Sequence, residues 1–135
     1  MVCKPLEVWG NSSVGRDIVY IKDVISAFVM AIDNNTACGL YNISSGRKLT
    51  LMEEVNTIAD VFWAGDNAPI IIEKPELPNY IDTFYYDISK AKKDLGWEPK
   101  FDFKEMLYDF MEESGSKKFS HLVEIRQEKL NEYNK

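Results

Sequence analysis

The stretch that most constrains the fold runs from Gly15 to Val24 and joins a strand pattern directly to a helix pattern. Residues 18–21 are β-prone, and Asp23 belongs to the residue types that cap a helix by accepting a backbone N–H. Arg16 stands at the entrance to the strand, where its planar guanidinium suits a phosphate better than a core. The stretch therefore predicts an anion-binding side chain, a buried strand and a helix capped by Asp23.

The predicted helix from Val24 to Ile32 is apolar on nearly every side. A surface helix has one apolar stripe, whereas this segment needs cover on two sides. A chain of 135 residues offers little surface for that purpose. The pattern therefore predicts either a missing neighbour or a homo-oligomer, most simply a two-fold dimer.

Short strand patterns alternate with helix patterns, which predicts an α/β fold: a small mixed sheet of short strands with four to five helices. The predicted strands lie at residues 5–9, 18–21, 40–43, 70–72 and 83–86.

Helix starts and ends are marked by their capping residues. Thr50 with Glu53, and Asp102 with Glu105, have the spacing of capping boxes. Asp87 is placed to cap a short helix over 88–95, which Gly96 ends, and Gly65 suits the end of the helix that Thr50 begins. A break at 114–116 divides a domain, 1–113, from a charged helical tail, 114–135.

Composition excludes several classes of function. A net charge of -6 does not fit a nucleic-acid-binding protein, which needs a basic face, although a nucleotide needs only one or two local cations. No apolar run approaches the ~20 residues that span a bilayer. Cys3 and Cys38 lack metal-ligand spacing and are expected to be free thiols. We therefore expect a cytoplasmic protein without nucleic-acid or membrane partners and without a metal site.

Four motifs occur along the chain at residues 16–23 (RDIVYIKD), 39–46 (GLYNISSG), 87–91 (DISKA) and 95–99 (LGWEP). Together and in this order they resemble the extended short-chain dehydrogenases, the family of NAD-dependent nucleotide-sugar epimerases and dehydratases that includes UDP-glucose 4-epimerase. The resemblance covers about residues 4–113 and implies the C-terminal, substrate-binding part of that family. The Gly-rich dinucleotide-binding half has no counterpart here.

The resemblance implies a nucleotide-sugar site. In the family, the counterpart of Arg16 reaches the diphosphate, and the strand at 5–9 lies against the nucleobase, which implicates Glu7 and Trp9. Family members often carry a second arginine ahead of the DISKA-type segment. This chain has Lys74 in that region instead, a weaker point charge.

Two plainer interpretations of these residues remain open from the sequence. Arg16 could form a local surface pair with Asp17, worth under ~1 kcal/mol. Trp9 could pack in the core beneath an edge strand.

Hydride chemistry requires parts that the chain lacks. The seven glycines stand at separate positions, so no Gly-rich turn can approach a pyrophosphate. Tyr86 and Lys90 have the spacing of a catalytic Tyr-x-x-x-Lys pair, but Asp87 is expected to begin the helix after Tyr86, so the pair would not share a helical face. We therefore expect no catalytic residue and no cofactor bound by this chain, with NAD belonging to the parent-type enzyme.

The sequence thus indicates a fragment of an NAD-dependent nucleotide-sugar epimerase or dehydratase, similar to UDP-glucose 4-epimerase. It would contribute nucleotide-sugar binding, weak in isolation, and would be inactive alone. The alternative is a non-catalytic oligomeric or partner-binding module from a truncated gene.

Overall fold

The computed structural model describes residues 5–63, 68–79 and 82–116. Within these ranges the elements are β1 (Leu6–Trp9), β2 (Gly15–Arg16), α1 (Ile21–Asp33), β3 (Leu49–Thr50), α2 (Leu51–Phe62), β4 (Ile71–Lys74), α3 (Ser89–Leu95) and α4 (Phe103–Gly115). The predicted α/β class is confirmed, and the described ranges contain four helices. No helix in the described ranges is long and apolar enough to cross a membrane.

The strands form two separate pairs in place of the single mixed sheet that the sequence predicts. β1 and β4 run parallel, with Leu6 opposite Ile71 and Trp9 opposite Lys74. β2 and β3 run antiparallel, with Arg16 opposite Leu49. β2 and β3 contain two residues each, so they form a short ladder that is separate from the β1–β4 ladder.

Three of the predicted strands are replaced by other backbone. Residues 18–21 are not a strand, because pairing ends at Arg16 and Ile21 already begins α1. Residues 40–43 are also irregular, and Leu40 is 92% exposed. Within the described ranges no strand lies beside this segment to pair with it; Asn42 Nδ2 instead donates to the carbonyl oxygen of Asp87 (3.0 Å).

Residues 83–86 likewise form no strand. The Phe84 N–H donates to the Gly15 carbonyl oxygen (3.1 Å), but the Tyr86 N–H donates to the carboxylate of Asp17 (3.1 Å). A side chain thus takes the place that a neighbouring strand would occupy. The segment lies along β2 without extending it into a ladder.

Asp23 is not the cap of α1, contrary to the sequence prediction. The N-cap is Tyr20, whose carbonyl oxygen accepts from the Asp23 N–H, so the helix begins before Asp23. The carboxylate of Asp23 is buried and accepts the backbone N–H groups of Lys100 (2.9 Å) and Phe101 (3.1 Å). Asp23 therefore joins α1 to the segment that leads into α4.

The core beneath α1 is built around Trp97, which is 1% exposed. Its indole N–H donates to the Asp23 carbonyl oxygen (3.1 Å) and to Ser26 Oγ (2.9 Å). The buried residues that cluster with it are Ala27, Ile88, Ala91 and Leu95. Gly96, in the left-handed conformation with φ of 68°, ends α3 as predicted and turns the chain toward Trp97.

The capping boxes of α2 and α4 are both present, as predicted. Thr50 accepts from the Glu53 N–H while the Glu53 carboxylate accepts from the Thr50 N–H, and Asp102 and Glu105 repeat the arrangement. Asp87 is not the N-cap that the sequence predicts, because α3 begins at Ser89 with Ile88 as its N-cap. Asp87 Oδ1 nevertheless accepts from the Ser89 N–H (2.8 Å).

α4 ends at Gly115, within the predicted break at 114–116. The proposed tail beyond residue 116 and Gly65 lie outside the described residues.

Candidate functional site

Arg16 is half-exposed at the end of β2 and is held along one edge by Glu54. Arg16 Nε donates to Glu54 Oε1 and Arg16 Nη2 to Glu54 Oε2, both at 3.4 Å. The side chain of Arg16 is 42% exposed, whereas that of Glu54 is 10% exposed. This pairing engages one edge of the guanidinium, and three of its five N–H donors are not bonded to Glu54.

The register of β2 and β3 brings these two side chains together. Arg16 lies opposite Leu49, and β3 passes directly into α2 at Leu51. The Thr50 capping box fixes where that helix begins, and Glu54 follows one turn later. A pairing across 38 residues of sequence is thus set by one short ladder and one capped helix start.

Asp17 does not pair with Arg16, so the surface-pair interpretation is wrong. Its carboxylate accepts the N–H groups of Ser45 (2.7 Å), Gly46 (3.0 Å) and Tyr86 (3.1 Å), as well as the hydroxyl of Ser45. Burial alone raises the pKa of Asp17, but these hydrogen bonds outweigh it and hold the pKa below its ordinary value. Asp17 therefore fastens the end of β2 to two distant segments.

Glu7, Trp9 and Lys74 occupy one face of the parallel pair. Glu7 and Trp9 are two residues apart on β1, so their side chains lie on the same face. Trp9 is paired in register with Lys74 on β4. The Trp9 indole N–H donates to Glu7 Oε2 (3.0 Å), which orients the ring. Trp9 is 52% exposed, so the interpretation as a core residue is wrong.

The structure thus brings together three of the four predicted site residues and leaves Arg16 on the other ladder. Among the described residues, no hydrogen bond or ion pair joins Arg16 to Glu7, Trp9 or Lys74. The turn between β1 and β2 connects the two groups, and Ser12 Oγ within it donates to Glu73 Oε2 (2.6 Å).

Two clefts flank the turn after Ile43, and none of the four predicted site residues lines them. One, of about 490 Å³, is lined by Arg47, Tyr85 and Lys92 among others. The other, of about 210 Å³, lies beside Lys48 and Phe101. Neither is lined by Arg16, and the sequence did not predict either of them.

The described residues do not include the glycine-rich turn of an NAD pyrophosphate site. Such a site needs closely spaced glycines between a strand and the N-terminus of a helix. Here β3 passes into α2 without an intervening turn, and the glycines with positive φ stand in four separate turns at positions 10, 39, 46 and 96.

Tyr86 and Lys90 are not arranged as a catalytic pair. Tyr86 precedes α3, whereas Lys90 lies within it. Lys90 Nζ donates to the carbonyl oxygens of Cys38 (3.1 Å) and Leu40 (3.0 Å) and lies 4.0 Å from the centre of the Tyr41 ring. Lys90 thus fastens an irregular segment in place.

Glu54 is the site residue that the sequence analysis missed. A signal was available, since Glu54 follows Leu51 by three residues and precedes Ile58 by four, which places it on the apolar stripe of α2. A charged residue at such a position is buried and needs a partner. The identity of that partner depends on the β2–β3 register.

Comparison with known proteins adds a family. Residues 3–110 match the family model described as GDP-mannose 4,6 dehydratase. The chain is 30% identical over 95 residues to dTDP-4-dehydro-6-deoxyglucose reductase of Escherichia coli, which covers 70% of this chain and 29% of that protein. It is 31% identical over 97 residues to UDP-glucose 4-epimerase of Bacillus subtilis, covering 70% of this chain and 28% of that protein.

A solved structure is similar as well. The UDP-glucose 4-epimerase of Bifidobacterium longum in complex with NAD+ and UDP superimposes with a TM-score of 0.60 at 28% identity, over 77% of this chain and 32% of that one. The chain thus spans about a third or less of the length of these relatives.

The resemblance to extended short-chain dehydrogenases is confirmed at the level of the family. Because the family model matches residues 3–110 of the 135, the chain belongs to the GDP-mannose 4,6 dehydratase family.

Proposed function

We propose that this chain is the C-terminal, substrate-holding portion of an NAD-dependent nucleotide-sugar epimerase or dehydratase of the UDP-glucose 4-epimerase kind. The observation that carries the proposal is the family match over residues 3–110, within which Arg16 is partly exposed and keeps N–H donors that Glu54 does not engage. In this proposal residues 1–113 form the substrate-binding unit and 114–135 a tail. We place the protein in the cytoplasm, where the free thiol of Cys38 would stay reduced.

Arg16 supplies the phosphate contact in this proposal. A guanidinium carries five N–H donors, and two of them bond Glu54, which leaves three for oxygens of a diphosphate. The whole chain carries a net charge of -6, so it attracts a diphosphate only where a local cation such as Arg16 stands. Arg16 is therefore the group on which the affinity for a nucleotide should depend.

The face of β1 and β4 supplies the contact with the base. The exposed ring of Trp9, oriented by Glu7, offers a flat apolar surface, and Lys74 stands beside it as a second positive charge. Stacking on an aromatic side chain is worth about 1–3 kcal/mol per base in nucleic-acid complexes. This part of the site holds the nucleotide and performs no bond-making step.

The chain does not provide hydride chemistry in this proposal. In a complete enzyme of this kind, bound NAD would supply the transfer of a hydride from the sugar and back to it. The residues described here can hold and orient the nucleotide, but they do not form the pyrophosphate cradle that NAD needs. We therefore expect neither epimerase nor dehydratase activity from this chain alone.

The proposal is tested by titrating the chain with UDP and following the backbone amide signals. We expect shifts within residues 7–20 with a Kd of about 1 mM, a binding free energy of about -4 kcal/mol, because much of the cleft is absent. Arg16→Ala should abolish these shifts. Arg47→Ala, which removes the same charge beside the clefts described above, should leave them unchanged. Shifts that survive Arg16→Ala, or that never involve residues 7–20, would contradict the phosphate role.

A second candidate function, a non-catalytic oligomeric module, is favoured by the outer face of α1. The apolar residues that are at least half exposed on this helix are Ile21, Ile25, Phe28, Val29 and Ile32. They leave on the order of 500 Å² of apolar surface uncovered, near the upper limit for a monomer and more than half of what each partner buries in a standard interface. Two copies of this face, packed about a two-fold axis, would cover each other.

A further inference from the structure

The strongest unexplained feature of the site is a buried carboxylate with a single cation beside it. Glu54 is 8% exposed, and among the described residues only Arg16 bonds its side-chain oxygens. Without its cation a buried carboxylate keeps an uncompensated charge, which is strongly unfavourable. Arg16 therefore cannot leave Glu54 to follow a ligand without a large penalty, and it must bind from the place where Glu54 holds it.

We propose that Glu54 is a positioning residue for nucleotide binding, an inference that rests on the phosphate role proposed for Arg16. Its two oxygens bond the Nε and Nη2 edge of the guanidinium, so the N–H groups of Nη1 and the second N–H of Nη2 are not engaged by Glu54. These remaining donors have the paired geometry that phosphate oxygens accept. Glu54 itself touches no ligand.

Glu54 also has an electrostatic effect on nucleotide binding that opposes the positioning effect. A carboxylate near a diphosphate repels it, so removal of the charge would strengthen binding if repulsion dominated. The long side chain of Arg16 would be free to adopt many rotamers without Glu54, and immobilising it again costs about 0.5–1.5 kcal/mol. The burial of Glu54 and its two-bond contact favour the positioning effect, because both bonds fix the same edge.

The test compares UDP binding by the full chain and its Glu54→Gln variant, a change that keeps the shape and removes the charge. We expect the affinity to fall about three- to tenfold, the cost of ordering one long side chain. Asp60 is an exposed carboxylate on the same helix, so the control variant Asp60→Asn should leave the affinity for UDP unchanged. The Arg16→Lys background tests whether Glu54 acts through the guanidinium, because lysine cannot form the two-bond pair. In that background Glu54→Gln should have little further effect on the affinity for UDP.

The outcomes separate this inference from the proposed function. Arg16-dependent UDP binding that Glu54→Gln leaves unchanged or strengthens overturns the positioning role alone. The same loss of affinity in the Arg16→Lys background also overturns it, because the effect would then be a general one on the fold. Absence of any Arg16-dependent UDP binding overturns the phosphate role together with the inference.

Discussion

At the residue scale, two carboxylates each join segments that are far apart in the sequence. Asp17 holds the end of β2 to the turn at Ser45 and to Tyr86, and Asp23 holds α1 to the segment before α4. Both act through backbone N–H groups, which have fixed positions in the chain. Their sequence neighbours give no indication of these partners, which explains why Asp23 was predicted to be a helix cap.

Asp17→Asn should lower the free energy of unfolding at pH 7 by about 2 kcal/mol, the usual value of hydrogen bonds to a charged group. The pKa of Asp17 is lower in the folded chain than in the unfolded chain, so its contribution is complete above the unfolded pKa and is lost as the pH falls through the folded value. Urea unfolding between pH 7 and pH 2 should therefore show a weaker pH dependence in the variant. An unchanged pH profile, with Asp60→Asn as the control, would contradict this account.

Asp23→Ala should destabilise the chain by about 2–3 kcal/mol, because the N–H groups of Lys100 and Phe101 would lose their acceptor in a buried place. Asp33→Ala, at the exposed end of the same helix, is the matched control and should change stability by less than about 0.5 kcal/mol. Thermal and urea unfolding measure both. Equal effects of the two substitutions would show that the bonds of Asp23 add nothing.

At the scale of elements, local signals predicted the helices and failed for several strands. A capping box lies within four residues, so the starts of α2 and α4 could be deduced from sequence alone. A strand needs a neighbour, and the segment at 40–43 has β-prone residues but no partner within the described ranges. The pairing of Arg16 with Glu54 was missed for the same reason, since it follows from the register of β2 and β3.

Thr50→Ala should lower the free energy of unfolding by about 1 kcal/mol, because the Glu53 N–H loses its acceptor and the start of α2 frays. Thr57 lies inside the same helix, where its hydroxyl bonds the Glu53 carbonyl oxygen, so Thr57→Ala should be neutral or slightly stabilising. Circular dichroism during heating compares the two. A loss in Thr57→Ala as large as that in Thr50→Ala would contradict the capping role.

At the scale of the whole molecule, the outer face of α1 is exposed among the described residues, in keeping with its all-round apolar pattern. Ala27 and its neighbours are buried against Trp97, whereas Phe28 and Ile32 are exposed on the opposite side. Each large apolar side chain left in water forgoes about 1.5–3 kcal/mol. That cost is a substantial part of the net stability of a small domain.

Self-association through this face is therefore expected at micromolar concentration. Sedimentation should show a dimer, and Phe28→Asp should convert it to a monomer by placing a charge in the contact. Phe110→Asp, at a similarly exposed phenylalanine of α4, should leave the dimer intact. A monodisperse monomer whose stability is unaffected by Phe28→Asp would show that the outer face of α1 is simply solvated.

The central claim is that this chain holds a nucleotide and does not bind the cofactor of the complete enzyme. Calorimetric titration of the same preparation with UDP and then with NAD tests it most directly. We predict UDP binding with a Kd of about 1 mM and no NAD binding in the micromolar range, because the described residues form no pyrophosphate cradle. Micromolar binding of NAD by the isolated chain would contradict the claim.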